Sequence, residues 1–270
     1  MIIDGKKIAE EILTEIAKQL KVFDGDKLRL VAVLVGPETE SGKISRKFLE
    51  LKKKVADKIG IEFRIYEFPK AITTQQLRKE IVELGRAQLN DGIIVELPLP
   101  SHINIQYILN GIPEEKDVDV LSQKMQGAFF ADRATILPPS VEAVKTVFEK
   151  HGIAVRGKNC AVFGYGLLVG KPISHWLLTQ GGTVSVLTEF TLDPKLYTLS
   201  ADIIISGVGK NNLITADMIK AGAIVIDFGP DVDFALVREK TSLITPPAGG
   251  VGPIVIASVL KNLVELKKEH

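Results

Sequence analysis

The residues best suited to bind a cofactor form a glycine-rich loop, Gly164 to Gly170, between a strand-like apolar run and a helical pattern. Glycines let the backbone turn tightly and approach a pyrophosphate, whose charge is met by the free N–H groups at a helix start. The third glycine lies one residue later than in the GxGxxG pattern, so an ordinary glycine turn is the alternative. The loop predicts a dinucleotide site that includes Gly164, Tyr165, Gly166 and Gly170.

An acidic residue follows the next predicted strand. Glu189 lies about 25 residues after Gly164, where a carboxylate accepts hydrogen bonds from the adenosine ribose hydroxyls of a dinucleotide. A solvated loop glutamate is the alternative, but the order strand, glycine loop, helix, strand and acid favours cofactor binding. Pro230, in the loop after a later strand, is assigned to the same site.

A second group of polar residues interrupts the apolar pattern of the first half of the chain. Lys52 lies on a predicted helix, Glu96 at the carboxyl end of a predicted strand, and Asp119 in the segment Lys116–Asp119. Each alone is more often a surface charge, but open parallel sheets bind ligands at the carboxyl ends of their strands. A charge embedded in an apolar strand needs a partner, so we predict that Glu96 contacts Lys52.

The elements that position these residues alternate between helix and strand. The patterns of the first half predict a helix over 8–20, a strand over 28–35, a helix over 45–59, a strand over 62–68, a helix over 74–90 and a strand over 92–97. This order favours a parallel sheet with helices on both faces, and hence the α/β class.

A second series of alternating elements follows a less regular segment, residues 100–139. It consists of a helix over 141–151, a strand over 159–163, a helix over 170–179, strands over 183–187, 203–206 and 223–227, and a final helix from about 254. A chain of 270 residues favours two domains. We predict a catalytic domain over 1–138, a nucleotide-binding domain over 139–253, and a C-terminal helix, 254–270, that packs back on the first domain.

Composition excludes several classes of protein. The 34 Lys and Arg residues balance 33 Asp and Glu residues, which gives no support to nucleic-acid binding. The single cysteine, Cys160, permits no intramolecular disulfide or cysteine-based zinc site, and its apolar surroundings predict a buried, inert thiol; no metal is predicted. No run approaches the ~18 apolar residues of a membrane span, so we expect a cytoplasmic protein without a membrane partner.

Several longer motifs carry a resemblance to a known family. They are DGIIVELPLPSHI at 91–103, KDVD at 116–119 and GGVGP at 249–253, with the opening IDGK at 3–6 and the glycine–proline spacing of 166–172. Over nearly its whole length the chain resembles the bifunctional methylenetetrahydrofolate dehydrogenase/methenyltetrahydrofolate cyclohydrolase family. The resemblance implies two α/β domains with a cleft between them, the second Rossmann-like, NAD or NADP as cofactor, a folate substrate and a homodimer.

The resemblance also implies roles for individual residues. Lys52 would handle protons in the hydrolytic step, Asp119 would hydrogen-bond the pterin ring, and Glu96 completes the predicted catalytic set. The GGVGP loop would close the folate cleft. The remaining predicted substrate contacts are Ser45, Phe48, Val95 and Leu97, together with the loop residues Gly249, Gly250, Val251, Gly252 and Pro253.

The chain departs from the family at several of these positions. The family's Ser-x-x-Tyr-x-x-x-Lys helix is read at Ser45, Phe48 and Lys52, after a short insertion at 40–44, so phenylalanine replaces tyrosine. Glu96 replaces a glutamine, and Glu189 replaces a serine. We therefore predict a weakened cyclohydrolase step and a preference for NAD over NADP. A catalytically silent folate- or nucleotide-binding paralogue and another two-domain NAD(P)-dependent dehydrogenase remain the alternatives.

Overall fold

The computed structural model describes residues 1–23 and 27–269. The chain divides into two compact units. The first unit contains Glu11–Leu137 and Val259–His270, and the second contains Met1–Glu10 and Pro138–Ser258. Two helices, α1 (Gly5–Gln19) and α10 (Val251–Glu269), contribute to both units. The final residue of the predicted C-terminal helix, 270, lies outside the described residues.

The first unit is built on a three-stranded parallel sheet. Its strands are β1 (Arg29–Val35), β2 (Glu62–Phe68) and β3 (Gly92–Val95), in the order β2-β1-β3. The central strand, β1, is buried from its second residue onward, as expected for a parallel strand covered on both faces. The helices of this unit are α2 (Glu40–Lys58), α3 (Thr74–Arg86), α4 (Ile105–Leu109) and α5 (Gln123–Phe130).

Helix α2 begins five residues earlier than the sequence predicted. The Oγ1 atom of Thr39 accepts a hydrogen bond from the backbone N–H of Gly42 at 2.9 Å, which caps the first turn. A Cβ atom at Gly42 would lie 2.0 Å from the carbonyl oxygen of Gly36, so only glycine permits this approach to the end of β1. Residues 40–44 therefore form the first turn of the helix that carries Lys52.

Two other elements of the first unit end earlier than predicted. Helix α3 ends at Arg86, where the Nζ of Lys116 donates to the carbonyl oxygens of Gly85 (2.8 Å) and Ala87 (3.0 Å). Strand β3 ends at Val95 rather than at residue 97. Prolines follow at 98 and 100, and a proline has no N–H with which to continue the hydrogen-bonded ladder.

The second unit is built on a five-stranded parallel sheet. The strands are β4 (Asn159–Phe163), β5 (Thr183–Leu187), β6 (Ile203–Ser206), β7 (Ile224–Asp227) and β8 (Leu243–Ile244), in the order β5-β4-β6-β7-β8. Its helices are α6 (Pro139–Lys150), α7 (Gly170–Thr179), α8 (Lys195–Thr198) and α9 (Phe234–Val237). Because β4 pairs with β5 on one side and β6 on the other, the carboxyl end of β4 is a topological switch point.

The core of the second unit lies between its sheet and its helices. Phe163, Leu187, Ile204 and Val225 belong to one buried cluster. Cys160 is buried as predicted, and burial raises the pKa of its thiol to about 11. In the part of the chain that the structure describes, no helix is both long and apolar enough to cross a bilayer.

Candidate active site

Lys52 and Glu96 form an ion pair in the first unit. Helix α2 carries the lysine, and the residue after β3 carries the glutamate, whose backbone N–H still donates to the carbonyl oxygen of Val33 at 2.9 Å. The Nζ of Lys52 donates to Oε2 of Glu96 at 2.9 Å, and the two side chains are 20% and 13% exposed. The predicted contact is confirmed. A carboxylate with so little exposure is costly without a partner.

Asp119 belongs to the same electrostatic cluster. Burial is the largest cause that raises the pKa of its carboxyl, to about 7, and the ammonium of Lys52 opposes this shift. The carboxylates of Asp117 and Glu96 raise it further by repulsion. The three residues predicted to be catalytic therefore lie within electrostatic reach of one another. With Asp117 they form what we call the Lys52 cluster.

A tight turn that the sequence did not reveal holds Asp119 in place. The carboxylate of Asp117 is fully buried and accepts hydrogen bonds from the backbone N–H groups of Leu121 (3.0 Å) and Ser122 (2.7 Å). Burial still raises the pKa of Asp117, against the effect of these bonds. Val120 has a φ of 59°, in the left-handed region that β-branched residues rarely adopt. A glycine at this position would have signalled the turn, whereas a valine gives no such signal.

The other predicted substrate residues of this unit lie close to Lys52 and Glu96 along the chain. Phe48 lies one helical turn before Lys52 and is 55% exposed, while Ser45, two turns before, is half-buried. Val95 is buried in β3, and Leu97 is half-buried just after Glu96. Their contacts with a substrate remain predictions.

The glycine loop of the second unit follows β4 and fits a dinucleotide. Gly164 has a φ of 86°, and a Cβ atom at Gly170 would lie 2.1 Å from the carbonyl oxygen of Gly164. At Gly166 a Cβ atom would meet no described heavy atom within 4 Å. Helix α7 begins at Gly170, and among the described residues no side chain caps it at Val169. The loop thus combines a tight turn, open space and an uncapped helix N-terminus, as a pyrophosphate requires.

The remaining cofactor candidates are Tyr165 within this loop, Glu189 after β5 and Pro230 after β7. Tyr165 is exposed, and the Nζ of Lys171 lies 5.3 Å from the centre of its ring. Glu189 is exposed in a turn after β5. Pro230 is exposed, and its carbonyl oxygen accepts a hydrogen bond from Asn212. Sequence reasoning missed Lys171, a cation beside the loop, because a lysine at a helix start has no distinctive pattern.

Asp231 holds the loop after β6 by hydrogen bonds, and the sequence did not point to this residue. Its Oδ2 accepts hydrogen bonds from Oγ of Ser206 (2.6 Å) and the N–H of Val208 (2.7 Å), and its Oδ1 accepts one from the N–H of Lys210 (2.7 Å). Asp231 is fully buried, although its sequence context is that of an exposed turn. Asp227 lies nearby in sequence, and burial raises its pKa to about 6.

The GGVGP loop packs against the opening motif of the chain within the second unit. A Cβ atom at Gly5 would lie 1.7 Å from the carbonyl oxygen of Gly250, and one at Gly250 would lie 2.3 Å from the carbonyl oxygen of Pro246. Gly249 has a φ of 77° and lies against the side chain of Lys6. Val251, Gly252 and Pro253 form the first turn of α10. The predicted contact of this loop with folate remains a prediction.

The chain is thus a two-domain α/β protein. One unit carries the lysine–carboxylate cluster, and the other carries a glycine loop of the dinucleotide-binding type at the switch point of its sheet. Residues 3–119 match the catalytic domain of tetrahydrofolate dehydrogenase/cyclohydrolase, and residues 138–270 match its NAD(P)-binding domain. The chain belongs to the tetrahydrofolate dehydrogenase/cyclohydrolase family. The predicted family and two-domain α/β class are confirmed.

Relatives and solved structures agree with this assignment over the whole chain. The bifunctional protein FolD of Aquifex aeolicus is 36% identical over 281 residues, which cover 99% of this chain and 95% of that protein. FolD of Nautilia profundicola is 37% identical over 279 residues, covering 99% and 97%. The structure of the Campylobacter jejuni FolD enzyme has a TM-score of 0.93 at 34% identity, covering 100% and 99%. That of the Trypanosoma brucei enzyme, complexed with NADP and an inhibitor, has a TM-score of 0.93 at 29% identity, covering 100% and 97%.

Proposed function

We propose that this chain oxidises 5,10-methylenetetrahydrofolate to 5,10-methenyltetrahydrofolate with a nicotinamide dinucleotide and hydrolyses the product to 10-formyltetrahydrofolate. The observation that carries this proposal is the ion-paired Lys52 beside Glu96 and Asp119, in a chain that matches the family along its whole length. The nicotinamide, when bound, supplies the hydride acceptor. The protein contributes mainly by holding donor and acceptor carbons in contact distance.

The residues of the Lys52 cluster have separate tasks in the two steps. Asp119 hydrogen-bonds the pterin ring and orients the substrate, and Lys52 exchanges the proton that hydrolysis requires. The ion pair with Glu96 exists only while Lys52 carries its charge, so a proton transfer from Lys52 must also break the pair. Phe48 offers no hydroxyl to assist. The hydrolytic step is therefore the slower of the two.

The cofactor is held by the loop from Gly164 to Gly170 and by the N-terminus of α7. We propose that NAD is preferred, because the Glu189 carboxylate follows β5 where it accepts hydrogen bonds from a ribose hydroxyl and repels a 2′-phosphate. Lys171 is the cation beside the loop that would favour NADP instead. Dissociation constants for NAD and NADP, measured for the natural chain and for Lys171→Met, separate the effect of the Glu189 carboxylate from that of the Lys171 ammonium group.

A substrate panel tests the proposed activity. Methylenetetrahydrofolate with NAD or NADP should give reduced cofactor, whereas amino acids and other dehydrogenase substrates should give none. Lys52→Met should abolish hydrolysis of added methenyltetrahydrofolate, while Lys54→Met, on the exposed side of the same helix, should leave it unchanged. Folate binding without turnover in either direction would favour the silent paralogue and overturn the proposal.

We also propose that the enzyme acts as a homodimer in the cytoplasm, as the family resemblance implies. Strand β5 lies at the edge of its sheet, with Val186 exposed on it. Phe190, just beyond the strand, and Leu178, on the preceding helix, are exposed apolar side chains. They supply apolar area for a contact between copies. Light scattering after gel filtration should give twice the chain mass, and Phe190→Ser should lower it.

A further inference from the structure

The carboxylate of Glu96 gives the Lys52 cluster a charge that a glutamine would not supply. The carboxylates of Asp117 and Glu96 both raise the pKa of the buried Asp119 carboxyl by repulsion, and the ammonium group of Lys52 opposes them. The pair with Lys52 uses Oε2 of Glu96. Among the described residues no other side chain hydrogen-bonds Glu96, which leaves its Oε1 without a side-chain partner. The cluster is suited to a positively charged partner.

The proposed reaction creates such a charge. When the C–H bond of the methylene bridge breaks, the hydrogen leaves with both electrons for the nicotinamide carbon, which is thereby reduced. The bridge carbon is oxidised, and one positive charge is shared between it and the two flanking nitrogens. The reactant bridge is neutral, so positive charge develops in the transition state. A fixed carboxylate stabilises that state more than the ground state.

We propose that Glu96 makes this site selective for the cationic form of the one-carbon unit, so that it binds methenyltetrahydrofolate more tightly than neutral folates and favours hydride removal. This inference rests on the proposed function and concerns the same site. Lys52 lies 2.9 Å from Oε2 and offsets part of the field of the carboxylate. We therefore expect an effect of about tenfold, equivalent to about 1.4 kcal/mol, rather than the full effect of an unpaired charge.

Glu96→Gln tests the inference because it removes the charge and retains the shape of the side chain. Dissociation constants for methenyltetrahydrofolate and for tetrahydrofolate are measured within seconds of mixing, before the methenyl group hydrolyses. The matched control is Glu67→Gln, which removes another ion-paired glutamate of the same sheet, the partner of Arg46. Unchanged tetrahydrofolate binding shows that each variant is folded.

The expected result is that Glu96→Gln weakens methenyltetrahydrofolate binding about tenfold, lowers the dehydrogenase kcat by a similar factor, and changes tetrahydrofolate binding by less than about twofold. Glu67→Gln should change none of these values. Equal weakening of both folates, or unchanged binding of the cation, would overturn the inference and leave the proposed function intact. Absence of folate binding by the natural chain would overturn both.

Discussion

The ion pair between Lys52 and Glu96 makes a quantitative prediction about stability. At the observed 2.9 Å, the attraction of two unit charges is about 1.4 kcal/mol in water and about 6 kcal/mol at an effective dielectric of about 20. The side chains of Lys52 and Glu96 are 20% and 13% exposed, so the pair is neither fully exposed nor fully buried. Exposed ion pairs contribute about 0–1 kcal/mol to stability, whereas removing one partner of a buried pair costs about 3–5 kcal/mol. We expect Lys52→Met to lower the free energy of unfolding by about 2 kcal/mol, because it leaves Glu96 without its partner.

A double-mutant cycle measures the pair itself. Lys52→Met, Glu96→Gln and the double variant are compared by hydrogen exchange of the β1 and β3 amides, which reports the opening of the sheet in the first unit. The double variant should recover at least half of the loss, giving a coupling energy of about 1–2 kcal/mol. Lys54→Met, exposed on the same helix, should change the exchange by less than about 0.5 kcal/mol. A coupling energy below about 0.5 kcal/mol would refute the argument.

Three further predictions concern other residues. Glu189→Ser should strengthen NADP binding at least severalfold, because it removes a charge that repels the 2′-phosphate by roughly 1–4 kcal/mol. Fluorescence titration measures the NADP affinity. An unchanged affinity would mean that the carboxylate points into solvent. Gly250→Ala should lower the melting temperature, because its Cβ would lie 2.3 Å from the carbonyl oxygen of Pro246, whereas Gly252→Ala, with no described atom within 4 Å, should not. Asp119 has a pKa of about 7 in the folded protein, above its ordinary 3.8, so the folded state binds the proton more tightly than the unfolded state does. The free energy of unfolding therefore falls as pH rises from about 4 to about 7. Asp119→Asn should therefore stabilise the protein more at pH 8 than at pH 4, in urea unfolding at both values; an equal effect at both would contradict the raised pKa.

Much of the fold could be predicted because local patterns and tertiary structure agree. Strands β2, β4, β5 and β6 have the predicted bounds, since their apolar runs end at glycine, polar or turn residues. The start of α2 was predicted too late because residues 40–44 were read as an insertion outside the helix. The Thr39 cap and the close approach of Gly42 to Gly36 extend the helix through them.

The candidate site was only partly predictable. The pairing of Glu96 with Lys52 followed from the cost of an isolated charge at the end of an apolar strand. The left-handed backbone of Val120 and the buried bonds of Asp231 did not, because both depend on contacts that only the folded chain creates. A valine in a turn and an aspartate in a loop look the same in a sequence whether they are exposed or buried.

A single progress curve tests the central proposal most directly. Methylenetetrahydrofolate and NAD are mixed with the enzyme, and reduced cofactor and methenyltetrahydrofolate are followed together by their absorbance. If the chain oxidises the folate and hydrolyses the product more slowly, methenyltetrahydrofolate should accumulate first and decline later, while reduced cofactor rises steadily. Failure to form reduced cofactor with either NAD or NADP, or its formation without any accumulation of methenyltetrahydrofolate, would contradict the account.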